Sequence, residues 1–407
     1  MAFHHMMTRP RLAIVTTHPV QYHAPWFRAL ARSELDLTVF YCYRATPEQQ
    51  AAAGFGVPFD WDVPLLDGYS YRFLSNVAPR ECAGGFRGLD TPEIRGIIAG
   101  REFDAVLVNG WHYKSAWQTI VSCWQHRIPV MLRGDSHLHT ARSVFKRTMK
   151  YPVYKGFIPR ADACLAVGTW SREYFLYYGA QPEHVFSVPH AIDEQWIAAE
   201  LAKWLPLRAE VRRRWGLPQD AVVFLFAGKF IEKKRPLDFV RALAEADRRG
   251  AAVAGLMVGD GPLRADCEAA ASEMGAPIRF AGFLNQSQMV SAYVAADVLV
   301  LPSDGRETWG LVVNEAMACG RPAIVSDAVG CGPDLVLAGR TGDRFPLGDI
   351  GALAELLVTY AGRPEMARAM ALAARERLVE FSLQAAVDGI ARAMAAIGGR
   401  KSNPRNS

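Results

Sequence analysis

Short apolar runs alternate with segments of helical periodicity along almost the entire chain. The runs cover 12–18, 35–42, 104–110, 129–133, 162–168 and 185–191 in the first half, and 221–228, 253–259, 277–283, 297–303 and 321–327 in the second. Near-continuous apolar runs of this length are typical of strands buried on both faces. Because helix-like segments separate them, the pattern predicts parallel sheets in an α/β protein.

The pattern also predicts two domains, since a chain of 407 residues is too long for one ordinary hydrophobic core. Around 195–218 the strand-like runs give way to a helical connector. We therefore place the domains at 1–200 and 201–380, followed by a carboxy-terminal helix and frayed tail at 381–407. We expect two Rossmann-like domains whose sheets face each other across a cleft, with ligands bound at the carboxyl ends of the strands.

Composition and charge narrow the class of protein. Hydrophobic residues make up 50 % of the chain and charged residues 21 %, which is typical of a globular protein. No apolar run approaches the roughly 20 residues that span a bilayer, and the first residues lack the apolar core of a signal peptide. The seven cysteines form no CxxC pair, and an odd number argues against a disulfide framework. We therefore expect a cytoplasmic protein, and the net charge of +5 does not indicate a nucleic-acid binder.

Positive charge is concentrated in the segment 141–160, where basic and aromatic side chains mix without a single acid. Two interpretations remain open. The segment could be a solvated helix face, or a surface that docks on anionic lipid at the inner face of the membrane or on an anionic lipid-linked acceptor. Its basic residues are Arg142, Lys146, Arg147, Lys150, Lys155 and Arg160.

The segment 306–327, RETWGLVVNEAMACGRPAIVSD, places two acids eight positions apart just after an apolar strand. We predict a helix that starts near Thr308, so that Glu307 lies at its amino-terminal end and Glu315 about two turns in. Free N–H groups at a helix start attract anions, and Gly310 leaves room for a ligand to approach them. At a separation of about 12 Å the two carboxylates cannot act on one bond. They can accept hydrogen bonds from sugar hydroxyls and from ribose hydroxyls at two ends of one ligand.

The first strand of the second half ends in AGKFIEKKRP, which places Gly228 at a turn, Lys229 beside it and Lys234 one turn later. Lysines at a strand-to-helix turn suit a diphosphate, because they neutralise its charge where helix N–H groups also point. The later stretch VGDGPLR, at 258–264, is a weak dinucleotide fingerprint, and we interpret it as a tight turn.

Together these motifs resemble the nucleotide-sugar site of retaining glycosyltransferases of family 4, which have the GT-B fold. The resemblance rests on the two acids separated by seven residues in ETWGLVVNEAMACGRPAIVSD, on AGKFIEKKRP, and on FAGFLNQSQMVSAYVAADVLVLPS. It covers 218–340 specifically and the amino-terminal half only in topology. It implies an acceptor-side domain at 1–200 and a nucleotide-sugar-binding domain at 201–380.

The resemblance also implies a role for each donor-site residue. Lys229 and Lys234 bind the donor diphosphate. Glu307 and the turn 308–311 hold the sugar and phosphate, and Glu315 binds ribose. The implied donor-binding residues are Gly228, Lys229, Lys234, Glu307, Thr308, Trp309, Gly310, Leu311 and Glu315. Neither a metal nor another cofactor is implied, since the nucleoside diphosphate sugar is itself a substrate.

Polar side chains at strand ends of the first half are the candidates for the acceptor side, namely His18, Gln21, His23, His112, Arg133 and His137. Many family members have a glycine-rich loop after the first strand and a His after the strand that here ends at Arg133. This chain has HPVQYH and Asp135 instead. We therefore predict Asp135 as the polar group on the catalytic face, with Lys234 and Glu307 as the other catalytic residues.

Two motifs could instead indicate a metal. His137 and His139 lie close to Asp135, and the pair Asp60 and Asp62 resembles the DxD of the other glycosyltransferase fold. We interpret the histidines as acceptor-side residues and the DxD as a strand-edge pair without a metal.

The resemblance implies an enzyme that transfers a sugar from a nucleoside diphosphate donor to a hydroxyl acceptor, with retention at the anomeric carbon. The expected acceptor is a glycan or lipid-linked molecule, and the expected process, by analogy, is surface glycan or exopolysaccharide assembly. The alternatives are a nucleotide-sugar epimerase of the same architecture and a non-catalytic protein that binds sugar nucleotides. An epimerase would change the donor sugar without an acceptor.

Overall fold

The computed structural model describes residues 9–140 and 144–402, apart from the side chains of 144–147 and 401–402. Arg142 and the predicted tail after residue 402 therefore lie outside the described residues, as do the side chains of Lys146 and Arg147.

The amino-terminal half of the chain folds around a seven-stranded parallel sheet in the order β3-β2-β1-β4-β5-β6-β7. The strands are β1 Arg11–Thr16, β2 Asp36–Tyr41, β3 Ser70–Phe73, β4 Ala105–Asn109, β5 Val130–Gly134, β6 Ala163–Ala166 and β7 Val185–Ser187. The helices are α1 His23–Ala31, α2 Pro47–Gln50, α3 Ile94–Ala99, α4 Lys114–His126, α5 Val144–Phe157 and α6 Thr169–Tyr177. Both faces of this sheet are covered, so its central strands are buried on both sides.

The carboxy-terminal half folds around a six-stranded parallel sheet in the order β10-β9-β8-β11-β12-β13. A connector leads into it through helices α7 Glu194–Trp204 and α8 Arg208–Arg214. The strands are β8 Val222–Ala227, β9 Val253–Val258, β10 Ile278–Gly282, β11 Val298–Leu301, β12 Ala323–Ser326 and β13 Gly342–Phe345. The helices are α9 Pro236–Arg248, α10 Arg264–Glu273, α11 Gln286–Ala295, α12 Leu311–Ala318, α13 Gly332–Leu335, α14 Ile350–Gly362, α15 Pro364–Leu378 and α16 Leu383–Ser402.

The predicted fold class is confirmed, because the described residues form two Rossmann-like domains with parallel sheets. The sequence pattern predicts neither β3 nor β13, which are edge strands of the two sheets. The first three residues of β3 are exposed, and in β13 only Gly342 and Phe345 are buried. Neither strand therefore contains the apolar run by which the other strands are predicted.

Helix α16 returns from the second domain to the first. Val387 and Ile390 pack into the core that contains Leu12 of β1. The helix approaches the sheet closely at Gly389, where a Cβ atom would lie 2.0 Å from the carbonyl oxygen of Ser187. The chain therefore crosses between the domains twice, once through α7 and once before α16.

Candidate functional site

A cavity of about 320 Å³ opens between the two domains, where strands β8 and β9 end. This is the edge at which open parallel sheets bind ligands. All nine predicted donor-binding residues line it, namely Gly228, Lys229, Lys234, Glu307, Thr308, Trp309, Gly310, Leu311 and Glu315. From the amino-terminal domain it is lined by Gln21, Tyr22, Phe55, Trp61, Asp135 and His190.

Glu307 and Lys234 form an ion pair at one end of the cavity. The Lys234 ammonium contacts Oε2 of Glu307, and these side chains are only 12 % and 10 % exposed. Lys233 lies further away, at 3.9 Å from the same oxygen, and is 34 % exposed. Burial disfavours the charged form of Glu307, but Lys234 and Lys233 outweigh it and hold the pKa of this carboxyl below its ordinary value. Glu307 is therefore a buried carboxylate.

Helix α12 begins at Leu311, three residues later than the sequence predicts. Gly310 ends the preceding turn with a left-handed φ of 104°, and a Cβ atom there would lie 2.9 Å from Cδ2 of Leu301. Thr308 and Trp309 consequently belong to the turn before the helix. The N–H groups of the first helical turn, which lack acceptors within the helix, start at the wall of the cavity.

Glu315 lies in the second turn of α12 and is 2 % exposed. Its Oε1 accepts a hydrogen bond from Gln286 at 2.8 Å, and its Oε2 accepts one from the Tyr293 hydroxyl at 2.6 Å. Burial raises the pKa of Glu315, although hydrogen bonds from Tyr293, Gln286 and Tyr22 oppose the shift. These partners hold the carboxyl group in one orientation at the cavity wall.

Lys229 is held by a segment of the other domain. Its ammonium donates to the carbonyl oxygen of Ala53 at 2.7 Å and lies 3.9 Å from the centroid of the Phe55 ring. Burial, together with the charges of Lys233 and Lys234, lowers the pKa of Lys229 to about 8. The lysine remains largely protonated at neutral pH and adds positive charge to the end of the cavity that contains Lys234.

Asp135 follows strand β5 and reaches the carboxy-terminal domain across the cavity. Its Oδ2 accepts a hydrogen bond of 2.6 Å from the Thr308 hydroxyl, across the gap between the domains. The carboxylate of Asp135 and the turn that holds Glu307 are thus joined directly.

Gln21 also lines the cavity, but two histidines near it in sequence do not line the cavity formed by the described residues. His18 packs 5.1 Å from the Tyr43 ring, and burial and the charge of Lys229 lower its pKa to about 4. His23 packs 5.8 Å from the Phe27 ring, and burial, with the charges of Arg133 and His18, lowers its pKa to about 3. Both imidazoles are therefore neutral near pH 7.

The other three predicted acceptor-side residues also lie off the cavity wall formed by the described residues. His112 is exposed, with Nε2 at 3.3 Å from the carbonyl oxygen of Ala83. His137 is buried, and its ring lies 5.1 Å from the Trp170 ring. Arg133 is buried behind the site.

Arg133 instead orients a cavity residue that the sequence analysis did not select, His190. The guanidinium lies 4.7 Å from the Trp26 ring and 3.4 Å from Nδ1 of His190. Because Arg133 can only donate, Nδ1 of His190 accepts and the ring proton is on Nε2. Burial and the charge of Arg133 lower the pKa of His190 well below its ordinary value, so this imidazole is neutral. His190 lies inside the predicted strand 185–191, but β7 ends at Ser187, so His190 is a strand-end residue only with the shorter observed strand.

Three other cavity residues of the amino-terminal domain that sequence reasoning missed are Tyr22, Phe55 and Trp61. Tyr22 is adjacent to the predicted Gln21. No local pattern marks Phe55, which ends a short π-helix, or Trp61, which lies in the irregular stretch after it, because both reach the cavity only through the tertiary fold.

The two candidate metal motifs have other contacts. Among the described residues, no group of three or more His, Cys, Asp or Glu side chains is placed to hold a metal ion. His139 pairs with Glu173 at 3.7 Å. The interpretation of Asp60 and Asp62 as a strand-edge pair is wrong, because this stretch forms no strand and contacts helix α11 of the other domain.

Fold and site together define a GT-B protein with a cleft between two Rossmann-like domains. The family model described as "Glycosyltransferase Family 4" matches residues 26–196, and the model described as "Glycosyl transferases group 1" matches residues 221–362. The chain therefore belongs to the family 4 glycosyltransferases of the GT-B fold.

Individual relatives agree with this assignment. The chain is 33 % identical over 225 residues to the D-inositol 3-phosphate glycosyltransferase of Saccharomonospora viridis, covering 52 % of this chain and 50 % of that protein. It is 31 % identical over 231 residues to the GDP-mannose-dependent alpha-(1-6)-phosphatidylinositol dimannoside mannosyltransferase of Mycobacterium tuberculosis, covering 55 % of each. The chain thus spans about half the length of these curated relatives. The fold is similar to that of Anabaena HepE in complex with UDP-glucose, with a TM-score of 0.68, 16 % identity, and coverage of 95 % and 99 %.

Proposed function

We propose that the protein is a retaining glycosyltransferase that moves a hexosyl group from a nucleoside diphosphate sugar to a hydroxyl group of a glycan or lipid-linked acceptor. The observation that supports this most directly is the placement of two buried acids, Glu307 and Glu315, in one cavity with Lys229 and Lys234. A ligand that satisfies this site needs hydroxyl groups at two places and negative charge beside the lysines. A nucleoside diphosphate sugar has all of these.

In the proposed reaction the diphosphate lies against Lys229, Lys234 and the start of α12. The acceptor hydroxyl attacks the anomeric carbon from the face that the diphosphate leaves, and a diphosphate oxygen takes the hydroxyl proton. The bond between the anomeric carbon and the diphosphate breaks, giving a glycoside and a nucleoside diphosphate. Lys234 stabilises the charge that grows on the leaving oxygen, while the two domains align the reacting groups. The mechanism uses neither a metal nor a cofactor.

The relatives support the donor class. The names of the curated relatives specify glycosyl or mannosyl transfer, one of them from GDP-mannose, and HepE was solved with UDP-glucose. We infer that this chain also uses a nucleotide sugar.

The test is a donor screen followed by product analysis. UDP, GDP, ADP and CMP sugars are compared by thermal shift, and the best donor is incubated with and without hydroxyl acceptors. We expect a glycoside only with the acceptor, with the anomeric configuration of the donor in its NMR spectrum. Epimerised sugar from the donor alone would support an epimerase, and an inverted product would contradict retention.

We further infer that the protein works in surface glycan or exopolysaccharide assembly and docks on the inner face of the membrane through α5. No described helix is long and apolar enough to cross a membrane. On α5, however, Met149 is 61 % exposed and Val153 56 % exposed, close to the basic residues Lys150 and Lys155. Apolar side chains flanked by lysines suit an anionic interface. Liposome flotation tests this, and equal recovery with neutral and anionic vesicles would contradict it.

A further inference from the structure

A strap of the amino-terminal domain, residues 51–62, crosses to the donor domain and lines the cavity through Phe55 and Trp61. It begins as a short π-helix, Ala51–Phe55, and continues without helix or strand to Asp62. We propose that Phe55 and Trp61 form the wall against which the nucleobase of the donor packs. The proposal rests on the proposed function, since it requires a nucleoside diphosphate as ligand.

The strap is fixed to the donor domain at the start of α11. The Asp62 carboxylate accepts hydrogen bonds from the backbone N–H of Ser287, at 3.2 Å, and from the Ser287 hydroxyl. The backbone carbonyl of Asp60 accepts from Nδ2 of Asn285 at 2.7 Å. A carboxylate at this position satisfies a free N–H group and interacts favourably with the helix dipole. We call these contacts the latch.

Close packing accompanies the latch. The Phe59 and Phe283 rings lie 4.5 Å apart, and the Phe55 and Phe59 rings 4.9 Å apart. Gly56 has a left-handed φ of 77°, and a Cβ atom there would lie only 3.0 Å from the backbone nitrogen of Gly261. The strap therefore packs directly on the donor domain.

The position of the strap along the cavity indicates which part of the ligand it meets. Gln286, between the two latch residues 285 and 287, donates to Glu315, the acid predicted to bind ribose. At its other end the strap holds Lys229, predicted to bind the diphosphate, through Ala53 and Phe55. The strap thus connects the sites predicted for the diphosphate and the ribose. Trp61, next to the latch residue Asp62, lies at the ribose end, and its ring lies 5.9 Å from the Phe55 ring. Aromatic rings there suit a planar base of any identity.

Trp61 variants test the wall separately from the phosphate site. Calorimetry compares UDP, GDP, ADP and inorganic pyrophosphate with wild type, Trp61→Ala and Trp61→Phe. We expect Trp61→Ala to weaken binding of the preferred nucleotide by about tenfold to a hundredfold, because base–aromatic packing of this kind accounts for such a factor. Trp61→Phe should recover most of the affinity, and pyrophosphate should bind all three proteins alike.

The latch has a matched control within the strap. Asp62→Asn removes the negative charge at the start of α11 and should weaken nucleotide binding about tenfold. Asp60→Asn should leave nucleotide binding unchanged, because Asp60 contacts Asn285 through its backbone carbonyl. The proposed packing of the nucleobase on Phe55 and Trp61 would be overturned by either of two results. One is a nucleotide affinity of Trp61→Ala equal to that of wild type, and the other is an equal loss of affinity for pyrophosphate and nucleotide. Wild-type protein that binds no nucleoside diphosphate would overturn the proposed function, and the wall with it.

Discussion

Replacement of Lys234 tests the charge arrangement at the end of the cavity that contains Lys229 and Lys234. Its ammonium contacts Glu307, and the two side chains are only 12 % and 10 % exposed. During transfer negative charge grows on the leaving oxygen, so the contact with Lys234 strengthens in the transition state. Losing such a donor costs about 3 kcal/mol, or about a hundredfold in kcat. We expect Lys234→Ala to lower kcat by this factor and to raise the donor KM much less, in steady-state assays with labelled donor.

The same substitution should destabilise the fold in a pH-dependent way. Breaking a buried ion pair costs about 3–5 kcal/mol, because the remaining charge stays buried. In the wild type the lysines hold the pKa of Glu307 below its ordinary value despite burial. The ion pair therefore stabilises the fold at pH values above the ordinary pKa of a glutamate. This contribution is lost as the pH falls through the lower pKa of Glu307 in the folded state. In the Lys234→Ala variant, burial should raise the pKa of Glu307, so that this carboxyl becomes protonated as the pH falls. The difference in unfolding free energy between wild type and variant should therefore shrink as the pH is lowered from about 8 to about 5.

Two neighbouring substitutions serve as controls. Lys233 is 34 % exposed and lies 3.9 Å from Glu307, so Lys233→Ala should have a small effect on both kcat and stability. Lys234→Arg keeps the charge but changes its geometry and should recover part of the activity. If Lys233→Ala is as damaging as Lys234→Ala, or if only the donor KM changes, the assignment of Lys234 to the leaving group is wrong.

Three further predictions concern other residues of the cavity. Since the pKa of Lys229 is about 8, diphosphate affinity should fall on the order of tenfold between about pH 7.5 and about pH 9.5, and Lys229→Arg should remove this dependence in calorimetry. Glu315→Ala should weaken donor binding more than it lowers kcat. A normal donor affinity of this variant would refute the predicted contact between Glu315 and ribose. Asp135→Ala should lower kcat with donor affinity little changed. Thr308→Val removes only the hydroxyl that donates to Asp135 and should lower kcat less. Unchanged kinetics of Asp135→Ala would refute the catalytic role predicted for Asp135.

The donor half of the site could be predicted because its residues are set by local sequence. Gly228 and Lys229 directly follow β8, and the turn through Gly310 directly precedes α12. Each of these strand-to-helix turns places its polar residues at the carboxyl edge of the sheet, whatever the rest of the chain does. The error at the start of α12 has the opposite origin, a contact outside the local sequence. The left-handed conformation of Gly310 is a property of how the turn packs on Leu301, which the residue pattern does not reveal.

The amino-terminal side could be predicted only in outline, because being close to a strand end does not decide whether a side chain points to the cleft or into the core. Arg133 and Asp135 are two residues apart at the end of β5, yet the guanidinium is buried behind the site while the carboxylate reaches Thr308. Arg133 then acts through His190, more than fifty residues away, by fixing the ring proton on Nε2. We predict that Asp135 and His190 together take the place of the His that many family members have after this strand. Asp135 supplies a carboxylate next to the turn that contains Thr308, and His190 supplies a neutral N–H donor from the loop after β7. A donor and an acceptor that line one cavity can hold a sugar hydroxyl from both sides, which neither residue could do alone.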